Sequence, residues 1–444
     1  MMHSPRHIQA WSCVVLSASF STILLLFSGC SSGDSSSPPP STSPNSPTSP
    51  NSPTSPTVQH TAQPGRFNDR VTAIISAPDA SGDIYIAGGF TTYNDRPVRP
   101  VVRIRPDGTL NESFTLASEI IGVTSLAPVD DGSGDIYVAE VQSLANRVVQ
   151  ILKVNADGSV DSAFPPGQVI YTKADTILRT NILTIVPVGD GSGRAYVCGA
   201  FDRYNGVEVS HIVLVTPTGT LEPSFRSAAT PTFTVVPADD GSGDLYVMNW
   251  RIIDISGPTT ASTDVYRLNA NGSVDLAFKT LTTLPFGTLR AVLPVGDGSG
   301  DLFIGGVNIF LGTGDPNPDN FISLARVNPD GTFDLTSPRP AVNDGVSLLA
   351  RAVDGTKDIF IAGQPIFGTD GTDITVEQHL RRFKADSSID PAFEIGTVDG
   401  GISSVLPVPD GTSDLYVGGT FTTYNGVAAG NIVRLNANGT LDGS

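Results

Sequence analysis

The sequence is poor in charge, in basic residues and in sulfur. Of 444 residues only 16% are charged, and 26 Lys and Arg face 44 Asp and Glu, a formal net charge of −18. That balance excludes a basic surface for nucleic acid. Three Cys and five His are spread thinly, so spacing offers no zinc site. No stretch combines helical periodicity with capping residues. What the chain has instead is 46 Gly and 34 Pro beside 39% hydrophobic residues. This mixture is too apolar for wholesale disorder and too rich in turn formers for a helical protein. An all-β fold is expected.

Residues 1–29 read as an address. They hold Arg6, no acid, and an apolar run from Val14 to Phe27 that ends in Ser28-Gly29-Cys30, the layout of a secretory signal. The run is too short and too interrupted by Ser for a spanning helix. Its Gly-Cys ending resembles the lipobox of bacterial lipoproteins. That resemblance implies an acylated Cys30 and a lipid-anchored place in the bacterial envelope, at the outer membrane or cell surface. The alternative is an ordinary signal cut nearby, with Cys30 a bystander. Without the leader the charge becomes (26 − 1) − 44 = −19, so attraction to anionic lipid is not the anchor and the membrane is met through lipid alone. Cys13 leaves with the leader, and with Cys30 acylated Cys198 stands alone, so no internal disulfide forms. Residues 30–57 are nearly all Ser, Pro, Thr, Asn and Gly. They cannot bury a core and form an extended tether, which at about 3.1 Å per residue reaches roughly 80 Å.

Residues 58–444 repeat. A turn followed by Asp-Leu or Asp-Ile and an aromatic recurs at Asp83-Ile84-Tyr85, Asp135-Ile136-Tyr137, Arg194-Ala195-Tyr196, Asp244-Leu245-Tyr246, Asp301-Leu302-Phe303, Asp358-Ile359-Phe360 and Asp414-Leu415-Tyr416, spaced 52, 59, 50, 57, 57 and 56 residues. A second marker, Asp-Gly or Asn-Gly followed by a Phe, runs from Asp107 to Phe114 in unit one and weakens in units five and six. Alternation and β-branched content predict four strands in unit one: a at Val71–Ala77, b at Asp83–Phe90, c at Pro100–Arg105 and d at Thr109–Phe114. Seven such units predict a seven-bladed β-propeller of four-stranded blades. A β-sandwich array or a solenoid is the alternative. The last copy stops at Ser444 before its Phe, so Val58 to Phe67 is expected to complete the seventh blade and to bring the first and last units together.

The stretches Gly88-Gly89-Phe90-Thr91-Thr92-Tyr93-Asn94 and Gly418-Gly419-Thr420-Phe421-Thr422-Thr423-Tyr424-Asn425-Gly426, each leading to Val-Arg-hydrophobic and then Asp-Gly or Asn-Gly, resemble the bacterial delta-60 repeats. The resemblance covers residues 65 to 444 and implies a secreted or surface β-propeller. It carries no catalytic residues to transfer.

Strand alternation puts the a–b and c–d turns on one face and the b–c and d–a connections on the other. From the strand-b aromatic to the Asp-Gly position the counts are 22, 20, 22, 25, 27, 26 and 22, so units four to six carry b–c insertions. Variable loops on a rigid scaffold are where binding residues gather. The candidates there are Trp250 and Arg251, Asp315 and Asp319, Asp370 and Asp373, with Tyr171 and Lys173 from a long d–a path. An aromatic beside a cation suits a glycan or an extracellular protein; the alternative is that Trp250 packs its insert onto the blade.

The a–b turns read Asp-x-Ser-x-Asp, as in Asp131, Ser133, Asp135; Asp240, Ser242, Asp244; and Asp297, Ser299, Asp301. Three oxygens per turn are raw material for calcium, but no distal Glu completes the EF-hand pattern, and turn chemistry alone explains these residues. No cofactor is therefore expected, with calcium as the alternative. Gly-x-Ser-x-Gly elbows are lacking, and the lone Cys198 reads as a small core residue. The sum is a monomeric, non-enzymatic binding propeller. A polymer-degrading hydrolase or lyase, built from acids of several blades, and a purely structural surface protein are the competing classes.

Overall fold

The structure is a computed structural model in which residues 63–116, 122–143, 148–170, 183–230, 232–254, 260–282, 288–310, 321–337, 344–365, 378–408, 410 and 412–443 are described. The leader and tether lie outside them. The described residues form strands and turns, with no helix among them.

Their strands form antiparallel three-stranded meanders that follow the repeats. Unit one contributes Val71–Ser76, Ile84–Gly88 and Val101–Ile104; unit two Val123–Pro128, Ile136–Ser143 and Val148–Val154; unit three Leu183–Pro187, Ala195–Gly199 and Ile212–Val215. Unit four has Thr232–Pro237, Leu245–Asp254 and Thr260–Leu268; unit five Thr288–Pro294, Leu302–Phe310 and Phe321–Val327. Unit six has Asp344–Arg351, Ile359–Pro365 and Gln378–Phe383; unit seven Ile402–Pro407, Leu415–Gly419 and Ile432–Leu435. This is a β-propeller-like arrangement.

The middle strands are short apolar runs, buried at every residue in Ile84–Gly88, Ala195–Gly199 and Leu415–Gly419. Both faces of each sheet are covered, because side chains of period two alternate between two neighbouring units. In unit four Tyr246 and Met248 join a core with Leu289, Val292 and Ile304 of unit five, while Leu245 and Val247 join one with Ile212 and Leu214 of unit three. Unit one packs the same way: Ala73 and Ile75 face Leu126 and Val138 of unit two, and Ile74 faces Leu406 and Tyr416 of unit seven.

The expected strand d over Thr109–Phe114 is not a strand. Leu110 makes one bridge to Ile104, and the same bridge recurs once in every unit, down to Leu435 with Leu441. Asn111 then closes a turn, its carbonyl accepting from the Phe114 N–H at 3.1 Å and its Oδ1 from the Ser113 N–H at 3.1 Å. The turn swings Phe114 onto Tyr85, with ring centroids 5.2 Å apart, and equivalent pairs are Tyr137–Phe164, Tyr196–Phe225, Tyr246–Phe278 and Phe360–Phe393. An outer strand resumes only afterwards, at Gly167–Ile170, Leu281–Thr282 and Gly396–Val398 in units two, four and six.

Units one, three, four and six are also tied to the next unit. Past the Phe, the N–H groups of Thr115, Arg226, Lys279 and Glu394 donate to the carbonyls of Asp157, Asn271, Asp330 and Asn438 in the following unit's c–d turn, at 2.7 to 2.9 Å. Gly158 shows why that turn carries glycine: its φ is +91°, and a Cβ there would lie 2.3 Å from the Thr115 carbonyl oxygen.

The ends of the domain meet. The Arg434 N–H donates to Gln63 Oε1 at 3.0 Å, Gln63 Nε2 donates to the Arg434 carbonyl at 2.6 Å, and the Phe67 N–H donates to Gly430 O at 3.0 Å. Residues 63–67 thus run beside the third strand of unit seven, and Val71–Ser76 packs against Ile402–Pro407 as well as Val123–Pro128.

Candidate functional site

The a–b turns hold a charge network that the repeat builds again and again. In unit one Arg103, from the third strand, reaches Asp83 through Nε at 2.7 Å, Asp79 through Nη2 at 2.5 Å, the Ser81 hydroxyl at 2.9 Å and the Tyr85 hydroxyl at 3.0 Å. Arg267 does the same with Asp244, Asp240, Ser242 and Tyr246 in unit four, and Arg382 with Asp358, Asp354 and Thr356 in unit six. Arg326 pairs with Asp301 at 2.5 Å and Asp297 at 3.7 Å in unit five; Lys153 pairs with Asp135 at 3.1 Å and Asp131 at 3.9 Å in unit two. The triads of Asp131, Asp240 and Asp297 are thus arranged around a protein cation. Ser133, Ser242 and Ser299 accept from the backbone N–H of Asp135, Asp244 and Asp301. Among the described residues no three His, Cys, Asp or Glu side chains are grouped to hold a metal ion.

Unit three confirms the logic by inverting it. Arg194 replaces the second Asp, and the third-strand position that is Arg or Lys elsewhere is Leu214. Arg194 now supplies the cation and meets Asp190 at 2.6 Å. Sequence reasoning missed this network, although the pairing of Arg194 with Leu214 was its visible signal. Electrostatics follow the geometry. Burial pushes the Asp354 carboxyl up, but hydrogen bonds from Thr356 and Arg382 outweigh it and hold it down at about 2. Asp79, Asp131, Asp240 and Asp297 are shifted downward in the same way.

The Tyr-Asn-Gly turns are equally structural. In unit three they form a hairpin, Arg203–Tyr204 with Val207–Glu208, that pairs with the outer strand of unit two. Asn205, at φ +48°, donates its N–H to Gln168 O at 2.8 Å and accepts from the Gln168 N–H through Oδ1 at 2.7 Å. Asn425 grips Thr397 of unit six alike, and Asn94 grips Arg66 beside unit seven. Beneath each Asn, the hydroxyls of Tyr204, Tyr424 and Tyr93 donate to Gly219, Gly439 and Gly108.

On the opposite face Trp250 and Arg251 lie in a strand rather than a loop, opposite Thr263 and Ser262. Unit four's middle strand runs 10 residues and unit five's 9, against 5 in units one, three and seven, so these insertions extend the sheet. One residue before Trp250, Asn249 sits opposite Asp264; both are buried, and the Oδ1 of each lacks a hydrogen-bond partner. Tyr171, Lys173, Asp315, Asp319, Asp370 and Asp373 lie outside the described residues. Cys198 is buried, its Sγ 3.6 Å from the Thr184 carbonyl, and burial pushes its thiol up to about 12. It is no nucleophile at neutral pH.

A family model described as a domain of unknown function (DUF5122) beta-propeller matches residues 80–114, 191–225 and 409–444. These segments fall in units one, three and seven, the units whose hairpin turn reads Tyr-Asn-Asp in unit one and Tyr-Asn-Gly in units three and seven, and the match supports a β-propeller family. No curated protein matches the chain. Among solved structures, a GH74 xyloglucanase from Xanthomonas campestris is similar at 13% identity and a TM-score of 0.49, over 85% of this chain and 54% of that one. The chain therefore spans about half that structure's length. A eukaryotic initiation factor is similar at 12% identity and a TM-score of 0.41, over 85% of this chain and 89% of the other.

Proposed function

We propose that the chain is an envelope-anchored, non-enzymatic β-propeller of seven four-stranded blades, of the delta-60 repeat kind, that binds a glycan or an extracellular protein through its b–c and d–a face. One observation carries the reading: the signature residues of the other face are consumed in holding the blades together. Asp, Ser, Arg and Tyr of the a–b turns bond one another, and the c–d turns bond the preceding unit. Units four and five lengthen their middle strands on the b–c side, and in unit four that extension carries Trp250 and Arg251. The anchor is acylated Cys30, with residues 30–57 as the tether.

The test is a soluble fragment from Val58 to Ser444 applied to a panel of neutral and acidic glycans. Trp250→Ala combined with Arg251→Ala should abolish binding and leave the fragment folded, with a cooperative unfolding transition. Unaltered binding moves the site elsewhere, and release of sugar from a polymer replaces the reading with a hydrolase. Calcium at millimolar concentration should leave the midpoint unchanged, since a ligand that binds only the native state would raise it.

A further inference from the structure

The inner strand of every unit but the third carries a β-bulge near its start, and the bulged residues are Thr72, Thr124, Phe233, Arg290, Ser347 and Ser403. A bulge takes one residue out of the pairing and leaves a carbonyl on the partner strand without its usual donor. Thr72, Thr124 and Ser347 repair this locally: their hydroxyls donate to the carbonyls of Ala87, Ala139 and Ala362 at 3.1, 3.3 and 3.1 Å. The repeat thus favours a hydroxyl at this position; unit four departs from it with Phe233 and unit five with a charged residue, Arg290.

Arg290 is half-buried, and among the described residues no carboxylate pairs with it. The framework cations each have a carboxylate: Arg103, Lys153, Arg194, Arg267, Arg326 and Arg382 are all in ion pairs. Among the described cations that are buried or half-buried, Arg290 alone makes neither hydrogen bond nor ion pair. Burial pushes its guanidinium below the ordinary arginine range, with no opposing acid among the described residues. A partly desolvated charge without a partner destabilises the fold, and a local rule broken with no structural return is the mark of a functional position.

The geometry points to Arg290 as the anchor for a single carboxylate on a sugar acid, held on the inner edge of unit five at the end where the b–c and d–a connections emerge. This rests on the glycan-binding reading of that face. Guanidinium and carboxylate match as a two-pronged pair, and the Ser347 hydroxyl stands at the equivalent place in the next unit. The net charge of −18 selects the occupant further: it repels polyanions at long range, so one buried cation favours a ligand with one anionic group over a polysulfated chain.

Calorimetry with D-glucuronate, D-glucose and inorganic sulfate tests this on the Val58–Ser444 fragment. Glucuronate should bind, more weakly as salt rises, and glucose should bind at least tenfold more weakly. Arg290→Ser, which supplies the hydroxyl found in units one, two, six and seven, should lose glucuronate affinity at least tenfold while its unfolding midpoint stays level or rises. Arg290→Lys should retain part of the affinity, because it keeps the charge without the fork. Sulfate binding as tightly as glucuronate would overturn the sugar-acid assignment, and unchanged affinity in Arg290→Ser would overturn the role of Arg290. Neutral glycans bound by the wild type without glucuronate would overturn this proposal while leaving the glycan-binding reading intact.

Discussion

Single residues carry the repeat's chemistry in pairs, and unit three offers the cleanest test. Arg267→Met leaves Asp240 and Asp244 facing each other with their cation gone. Removing one partner of a largely buried pair should cost about 3–5 kcal/mol in urea unfolding. In unit three, Leu214→Arg alone places a second cation near Arg194 and should destabilise, and Arg194→Asp alone sets a new acid beside Asp190. Together the two changes recreate the pattern of unit four, so a double-mutant cycle should show a favourable coupling of about 1–3 kcal/mol. Additive effects would mean that the swap between Arg194 and Leu214 is incidental. This network was legible in outline only. Asp and Ser in a glycine-rich turn look alike whether they serve calcium, backbone amides or an arginine some 20 residues later in the chain, and the arginine decides which.

Elements are tied by small motifs whose residues are plain in the sequence but whose partners are not. Strands a, b and c could be read from apolar runs between turns, because burial on both faces leaves a continuous pattern. Strand d could not: the Asp-Gly hairpin signal before it suggested extension through Phe114, while the Asn111 side chain diverts the backbone into a turn. The Tyr-Asn-Gly stretch was plain as a repeat signature, but the strand it clamps belongs to the unit before it. Tyr204→Phe removes the hydroxyl bonded to the Gly219 carbonyl at 2.9 Å and should cost about 1 kcal/mol. Asn205→Ala loses the Oδ1 acceptor for Gln168 and forces alanine into a positive φ, for about 1–2 kcal/mol. Hydrogen exchange should then quicken at Gln168 and Val169 of unit two. Exchange that quickens only within the hairpin of unit three would refute the clamp. Trp250 and Arg251 were legible as departures from the repeat, but their place in an extended sheet followed from register that spacing does not encode.

For the whole molecule, the repeated low-lying carboxyls add into a pH response. Asp354, held at about 2, and the downshifted Asp79, Asp131, Asp240 and Asp297 bind protons more weakly when folded than when unfolded. Their stabilisation is complete above the ordinary Asp value of about 4 and is lost as pH falls through the folded values toward about 2. The thermal midpoint should therefore drop steeply between about pH 4 and pH 2, and Asp354→Asn should flatten part of that fall; a midpoint level across the window would contradict it. The two ends of the domain meet through a short segment. Phe67 is buried, with its ring centroid 4.1 Å from Phe90 and 4.8 Å from Tyr93. Its backbone bonds Gly430, and Gln63 bonds both the N–H and the carbonyl of Arg434. Five residues thus pin unit one to unit seven and give the unit-one hairpin the strand it grips. A fragment starting at Asn68 keeps every meander intact, so if these contacts were ornamental its urea midpoint would match that of a fragment starting at Val58. If they close the domain, losing the Phe67 side chain alone should cost about 3–5 kcal/mol. Phe67→Ala in the longer fragment should then reproduce most of the truncation's effect, because the buried ring is the largest group the five residues contribute to the junction.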